Sequence, residues 1–361
     1  MKRYRVCVYA ICKNEEKFVD RWMDSMEEAD LIVVTDTGST DHTVRRLEER
    51  GAIVFQEKIE PWRFDVARNV SLAHVPDEMD ILVCTDLDEV LRPGWRAALE
   101  TAWTEDATMG NYLYNWSLKA DGTPDVQFVY FKVHTKKDYI WSCPVHEHLT
   151  YIGEKPEQKV FIKDMILDHY PDSTKSRGSY LKLLEVAVKE EPTNDRMAYY
   201  LGREYMYHRK WNECIETLKS HLKLPTATWR EERCASMRWI AKSYMELNQQ
   251  TDAYKWYYRA IAELPYMRDP YIELAKMGYL LSDWSTVLFA VTKALSIQEK
   301  SNTYVNAGYA WDHTPDDLAA IAYYRLGRYD KSLYHAQKAL KFDPENERLK
   351  KNYEQIKHAL K

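Results

Sequence analysis

Between residue 4 and about residue 170 the chain alternates short apolar runs with amphipathic stretches. The runs 5–11, 31–35, 53–56, 81–85, 127–135 and 160–167 are rich in β-branched and aromatic residues, which predicts strands. The stretches 16–26, 41–50, 64–73 and 95–102 carry apolar residues at helical spacing, and Ser39-Thr40-Asp41 supplies an N-cap cluster for the second of them. Strands that alternate with helices predict an α/β domain built on a parallel or mixed sheet.

After Tyr170-Pro171 the strand signal ends and amphipathic helices with short breaks take over, which places a domain boundary near residue 172. The helical half repeats itself. Ala253, Tyr257, Ala260 and Pro265 overlay Val287, Val291 and Ala294 at an offset of 34 residues, and Gly327, Tyr329, Ala339 and Pro344 restate the pattern. An earlier copy opens at Leu201-Gly202 and Tyr205, and the spacing between copies drifts to 39 and 45. These residues resemble the tetratricopeptide pattern, in which small residues let paired helices approach and a proline ends the second helix. About four copies would cover 194–345, with a terminal helix from Glu347 as a cap.

Composition narrows the function. A net charge of -5 and a pI near 6.2 give no support for nucleic-acid binding, which rests on clustered Lys and Arg. No apolar run approaches the ~20 residues that cross a bilayer, and the mean hydropathy is -0.59. The start Met1-Lys2-Arg3-Tyr4-Arg5 has the charges of a secretory leader, but Lys13-Asn14-Glu15-Glu16 interrupts the apolar stretch that follows, so no signal peptide is expected. The six cysteines show no Cys-x-x-Cys spacing and predict free thiols in a reducing cytoplasm.

The candidate chemistry gathers at strand ends. Asp86-Leu87-Asp88 follows the wholly apolar run 81–84, where carboxylates project into the crevice in which open α/β sheets bind ligands. Two acids one residue apart suit Mg2+ or Mn2+ on a diphosphate, although the same motif also fits a solvated turn. Asp36 ends a second apolar run and can accept from ribose hydroxyls or a base N–H, while the Thr37-Gly38-Ser39-Thr40-Asp41 segment after it can simply cap a helix through Ser39 and Asp41. Arg68 can reach a phosphate or pair with Asp65. In Val145-His146-Glu147-His148, strand alternation would send Glu147 to the face opposite both histidines. His169 is a metal ligand or a buried imidazole.

In order, Ile11-Cys12-Lys13-Asn14-Glu15-Glu16, Asp36-Thr37-Gly38-Ser39-Thr40-Asp41, Arg63-Phe64-Asp65-Val66-Ala67-Arg68-Asn69, Asp86-Leu87-Asp88-Glu89 and Val145-His146-Glu147 resemble the family 2 glycosyltransferases of GT-A fold. The match is to the branch that opens with Lys-Asn-Glu-Glu; some relatives carry a tetratricopeptide-like tail, among them enzymes that glycosylate a cysteine of bacteriocin peptides. The resemblance implies an α/β GT-A nucleotide-diphospho-sugar transferase domain at 1–172 and an all-α tetratricopeptide-like repeat domain at 173–361. It implies that Ile11, Asn14, Glu15, Asp36, Asp65, Arg68, Asp86 and Leu87 bind the nucleotide-sugar. Asp88, Asp86 and His169 would hold Mn2+ or Mg2+, and Glu147 would be the general base.

The implied activity is inverting transfer of one sugar from a UDP-sugar such as UDP-glucose to a peptide, protein or saccharide. The chain lacks a Gln-x-x-Arg-Trp signature and a membrane helix, which speaks against processive synthesis. It also replaces the adjacent acid pair of many members with Asp36-Thr37-Gly38-Ser39. Two other classes stay open: a repeat-based scaffold with a silent α/β domain, and a nucleotidyltransferase. The aromatic-rich helical tail offers a surface through which two subunits could pair.

Overall fold

The computed structural model describes residues 4–172, 178, 180–301 and 303–360. The chain divides into two compact units, Met1–Ala187 and Val188–Lys361. The expected boundary after residue 172 meets the segment 173–177, which lies outside the described residues, as do Met1, Lys2 and Arg3 of the basic start.

The first unit runs β1 (Val6–Cys12), α1 (Val19–Met26), β2 (Leu31–Asp36), α2 (Thr43–Glu49), β3 (Ile53–Gln56), α3 (Phe64–His74), β4 (Ile81–Cys84), β5 (Glu89–Leu91) and α4 (Trp95–Ala102). It continues with β6 (Met109–Leu118), β7 (Pro124–His134), β8 (Tyr139–Ser142), β9 (His148–Tyr151) and β10 (Lys159–His169), and the division between the units falls inside α5 (Tyr180–Glu190). Eight strands form one mixed sheet in the order β3-β2-β1-β4-β7-β6-β10-β5, and β8 and β9 form a separate hairpin. The first four strands of that order are parallel, and β7 pairs antiparallel with both β4 and β6.

The apolar runs are continuous because both faces of these strands are covered. Along β1, Val6, Val8, Ala10 and Cys12 pack with Trp22 and Met26 of α1 and Trp95 and Leu99 of α4. Cys7 and Tyr9 face the other way, onto Leu72 of α3 and Tyr139, Trp141 and Leu149 of the hairpin. β5, β6, β8 and β9 were not legible as strands. In β6 the reason is polar content: buried Asn115 bonds Asp168 at 2.6 Å and Gln127 at 2.7 Å, so its amide groups are satisfied inside the sheet.

The second unit is four antiparallel helix pairs: α6 (Asp195–Tyr207) with α7 (Trp211–His221), α8 (Arg230–Glu246) with α9 (Gln250–Glu263), α10 (Arg268–Leu280) with α11 (Trp284–Ser296), and α12 (Thr314–Arg325) with α13 (Tyr329–Phe342). α14 (Glu347–Ala359) packs on the last pair as the expected terminal helix. Close approach is built in where the small residues predicted it. A Cβ on Gly202 of α6 would lie 2.2 Å from Leu218 of α7.

All four pairs turn the same way. The residues at the turns, Arg209, Asn248, Ser282 and Gly327, have φ between 56° and 70°, and are spaced by 39, 34 and 45 residues. At each, one N–H donates back to the carbonyl three residues earlier (Arg209 to Met206, Asn248 to Met245, Ser282 to Tyr279, Gly327 to Tyr324). The next N–H donates five residues back (Lys210 to Tyr205, Gln249 to Tyr244, Asp283 to Gly278, Arg328 to Tyr323), completing a Schellman stop. The longest interval contains the connection between α11 and α12. It folds over α8 and α10, with Ala307 N–H donating to Asp269, Tyr304 to Glu232 and Tyr309 to Glu273.

Three of the four stops place a side chain in the left-handed region, which costs ~1 kcal/mol relative to glycine. Ser282→Gly is therefore expected to stabilise the second unit by about 0.5–1 kcal/mol, and Gly327→Ala to destabilise it by about 1 kcal/mol. Urea unfolding of the two variants beside the parent chain checks both signs.

Candidate functional site

The carboxyl ends of the parallel strands share one edge of the sheet. Cys12 and Asp36 are register partners at the ends of β1 and β2, and Tyr9 of β1 pairs with Cys84, the last residue of β4. Asp36 and the Asp86-Leu87-Asp88 turn therefore flank β1 on the same edge, two strand spacings or about 10 Å apart. Leu87 anchors the turn: it is fully buried with Leu91, Trp95 and Leu167. With Leu87 drawn inward, Asp86 and Asp88 on either side stay partly exposed.

Asp86 is clamped by two cations. Arg68 of α3 bonds its Oδ1, and Lys132 of β7 bonds its Oδ2 at 3.1 Å. Arg68 Nε also donates to Glu147 Oε1 at 3.1 Å, so one buried guanidinium joins Asp86 to Glu147. The alternative pairing of Arg68 with Asp65 does not form, because Asp65 takes both Nε and Nη2 of Arg63, at 3.1 and 2.9 Å. Beneath the clamp, Glu89 Oε2 accepts the Asp86 N–H at 2.9 Å and Glu89 Oε1 accepts the Tyr114 hydroxyl at 2.9 Å. Burial raises the Glu89 carboxyl, with Lys132 opposing that rise. Burial acts upward on Asp86 too, but Arg68 and Lys132 outweigh it and hold Asp86 well below the usual carboxylate range.

Arg68 owes its place to α3. Asn69, beside it, donates to the Trp141 carbonyl at 2.8 Å and accepts the Trp141 N–H at 2.9 Å, while Phe64 N–H donates to the Pro144 carbonyl. These bonds dock the segment 141–147 on the helix and bring Glu147 within reach. The Trp141 ring lies 5.3 Å from the guanidinium and is itself held from below. Its Nε1–H donates to Tyr9 Oη at 2.9 Å, and Tyr9 is 2.7 Å from His134 Nε2. Around Glu147 the backbone is not extended: Cys143 and His146 have φ of 79° and 53°, and β9 begins only at His148. Strand alternation therefore does not govern Glu147, and a turn aims it at Arg68.

Asp88 faces His169, with Oδ2 and Nε2 3.5 Å apart. His169 Nδ1 is 3.1 Å from the Trp116 carbonyl, a bond that puts the ring proton on Nδ1 and leaves the Nε2 lone pair toward Asp88. Burial works against charge on His169, yet Asp88 more than offsets it and raises the imidazole above its ordinary value. Two electron-rich atoms that face each other call for a proton or a cation between them. The donor set fits a cation in a second way, since Asp86, Asp88, Glu89 and Glu147 bring four carboxylates against two fixed cations, Arg68 and Lys132. Among the described residues no further carboxylate, thiol or imidazole makes a three-ligand group with Asp88 and His169. Oxygen atoms of water or of a bound ligand would complete the shell, as is usual for Mg2+.

The remaining expected residues build the neighbouring turns. The Asp36 carboxylate accepts from Gly38 N–H at 3.1 Å, from Ser39 N–H at 3.0 Å and from the Ser39 hydroxyl, and is buried. It thus caps its own loop. Asn14, with φ of 54°, accepts from Thr40 N–H at 2.7 Å and stitches the β1–α1 turn to the loop after β2. Glu15 N–H donates to Thr43 Oγ1 at 2.8 Å, and Ile11 and Glu15 are both buried at this junction. Lys132 and Tyr114 were missed by sequence reasoning, and Glu89 carried no role beyond its place in the Asp86-Leu87-Asp88-Glu89 motif. A signal existed for Lys132, which sits inside the apolar run Tyr130-Phe131-Lys132-Val133, because a lysine buried in a strand demands an anionic partner.

Removing Lys132 would leave Asp86 and Glu89 under-compensated inside the unit. Lys132→Met is expected to lower stability by roughly 3–5 kcal/mol, read by chemical unfolding. His134 gives a pH signature, because burial pushes its imidazole down to about 4. The unfolded chain takes up that proton first, so the stabilisation is complete above pH ~6.5 and falls as pH drops toward ~4. At pH ~5 the loss from this residue is about 2 kcal/mol, and His134→Gln should flatten it in urea titrations across that range.

Comparison with known proteins finds one repeat in the helical half. Residues 318–346, from within α12 to just past α13, match the tetratricopeptide repeat family model. No curated protein matches the chain. Among solved structures, the crystal structure of MamA is similar at 19% identity over 48% of this chain and 96% of that one, with a TM-score of 0.39. A thermophilic TPR protein of Thermus thermophilus, TTC0263, is similar at 19% identity over 50% and 89%, with a TM-score of 0.35. Yeast Tom70 is similar at 17% identity over 53% and 37%, with a TM-score of 0.39. No helix among the described residues is long and apolar enough to cross a membrane. A tetratricopeptide repeat is present in the C-terminal half of the chain.

Proposed function

We propose that the first unit is an inverting, non-processive glycosyltransferase of GT-A type, which moves one sugar from a UDP-sugar to a peptide, protein or saccharide acceptor. The observation that carries this reading is the junction at Arg68, where Asp86 and Glu147 meet on one buried guanidinium beside the Asp88–His169 pair. The strand order β3-β2-β1-β4 also supports it, since acids past the carboxyl ends of such strands border a ligand crevice.

Asp88 and His169 would hold Mn2+ or Mg2+, which when bound supplies positive charge to the diphosphate. Asp86 keeps Arg68 and Lys132 in place, so that their charge opposes the charge that grows on the departing UDP. Glu147, held through one oxygen by Arg68, takes the acceptor proton with the other. The acceptor lone pair forms the new bond at the anomeric carbon while the carbon–oxygen bond to the diphosphate breaks, and the electron pair leaves with UDP. Attack from the side opposite UDP inverts the centre. The repeats would present a polypeptide acceptor or recruit a partner.

A second reading, favoured by the tetratricopeptide match at 318–346, makes the chain a scaffold with a silent first unit. Thermal melts with UDP-, GDP- and dTDP-sugars, with and without Mn2+, separate the two. The transferase should be stabilised by a UDP-sugar only in the presence of metal, and Asp88→Asn should abolish that shift. Glu147→Gln should keep donor binding but lose about 100-fold or more in transfer rate. Indifference of the parent chain to every donor, with or without metal, would favour the scaffold.

A further inference from the structure

A second constellation of ligating atoms lies in the helical unit, independent of the proposed transfer reaction. Asp195 opens α6, His221 closes α7, and Glu232 sits in the first turn of α8. One oxygen of each acid and one ring nitrogen of His221 all lie within 4.8 Å of one another. Three atoms so spaced are no more than about 2.8 Å from a common centre, a small side-chain adjustment from the ~2.1 Å of zinc bonds to nitrogen and oxygen.

The histidine adds a separate observation. His221 is 1% exposed, its Nδ1 is 3.1 Å from Ser236 Oγ, and its Nε2 is sealed from solvent with no hydrogen-bond partner. A neutral imidazole carries one N–H and one lone pair. Donation from Nδ1–H to Ser236 would leave that lone pair on Nε2, the arrangement in which an outer-shell group orients a metal-binding histidine. Of the two carboxylates beside it, Glu232 is buried and accepts the Tyr304 hydroxyl, while Asp195 is partly exposed. Arg196 and Arg203 lie on the same helix as Asp195. Those arginines stack on the Tyr200 ring, and Arg233, whose field reaches His221, is committed to Glu263 and the Leu222 carbonyl.

We infer that Asp195, His221 and Glu232 bind a divalent transition-metal ion of the zinc class, which ties the first helix pair to the second. One nitrogen and two carboxylates suit Zn2+, and three protein ligands leave a position for water. The ion would join the start of α6, the end of α7 and the start of α8.

The full-length chain, stripped with a chelator, is titrated with Zn2+ by calorimetry and with Co2+ by visible absorption. A His169→Gln background removes the Asp88–His169 pair. The expected result is one site with a tetrahedral Co2+ spectrum, and a melting temperature raised by about 5 °C or more at a hundredfold excess over the dissociation constant. His221→Gln should abolish all three signals. Asp195→Asn, isosteric and partly exposed, should weaken binding at least tenfold in a chain whose circular dichroism is unchanged. Absence of binding in the folded background chain overturns the inference, as does binding that persists unchanged in Asp195→Asn or His221→Gln.

Discussion

The first unit depends on one buried cation. Arg68 is 3% exposed and touches Asp86, Glu147, the Cys84 thiol and the face of Trp141. A guanidinium removed from water is tolerated only when its donors are met, and here the acceptors come from segments far apart in sequence. Meeting them fixes the end of β4, the turn before β9 and the first half of α3 as one piece. The second cation, Lys132, does the same from β7, so the residues at the end of β4 are an electrostatic construction laid over an apolar sheet.

That construction has a supporting layer. Trp22 Nε1–H donates to Thr85 Oγ1 at 3.0 Å, and Trp141, Tyr9 and His134 form a hydrogen-bonded chain across the other face of the sheet. Aromatic side chains with one or two polar atoms fill space and set angles at once, and Trp22, Tyr9, Trp141 and His134 all have those atoms satisfied. The turn Asp86-Leu87-Asp88 thus has little freedom. Leu87 holds it from the core, Glu89 holds it by the Asp86 N–H, and the two aspartates keep different partners.

The helical unit shows a different economy. Its four stops are nearly identical in hydrogen bonding although their spacing varies from 34 to 45 residues. Local backbone geometry repeats, and the connections absorb the variation. The connection between α11 and α12 is the clearest case, because it brings Tyr304, Ala307 and Tyr309 onto acids of α8 and α10. Asp269 and Glu273 there also receive Arg238, which is 4% exposed, so a second buried arginine organises this unit as Arg68 organises the first.

The sequence by itself determined the two kinds of architecture, the strands β1 to β4, the four helix pairs and the terminal helix. Periodicity is a local property, and a strand buried on both faces or a helix with one apolar stripe writes it directly into the chain. It also marked Asp86, Asp88, Glu147 and His169 as chemistry to be explained. Only the tertiary structure decided their partners: Arg68 turned from Asp65 to Asp86 and Glu147, Asp36 turned into its own loop, and Lys132, Glu89 and Tyr114 joined the site. Ion pairs between residues tens of positions apart leave no periodic trace, because the energy that selects them arises only once folding has excluded water. Asp195, His221 and Glu232 likewise lie 26 and 11 residues apart on three helices, a spacing without meaning until the helices pack.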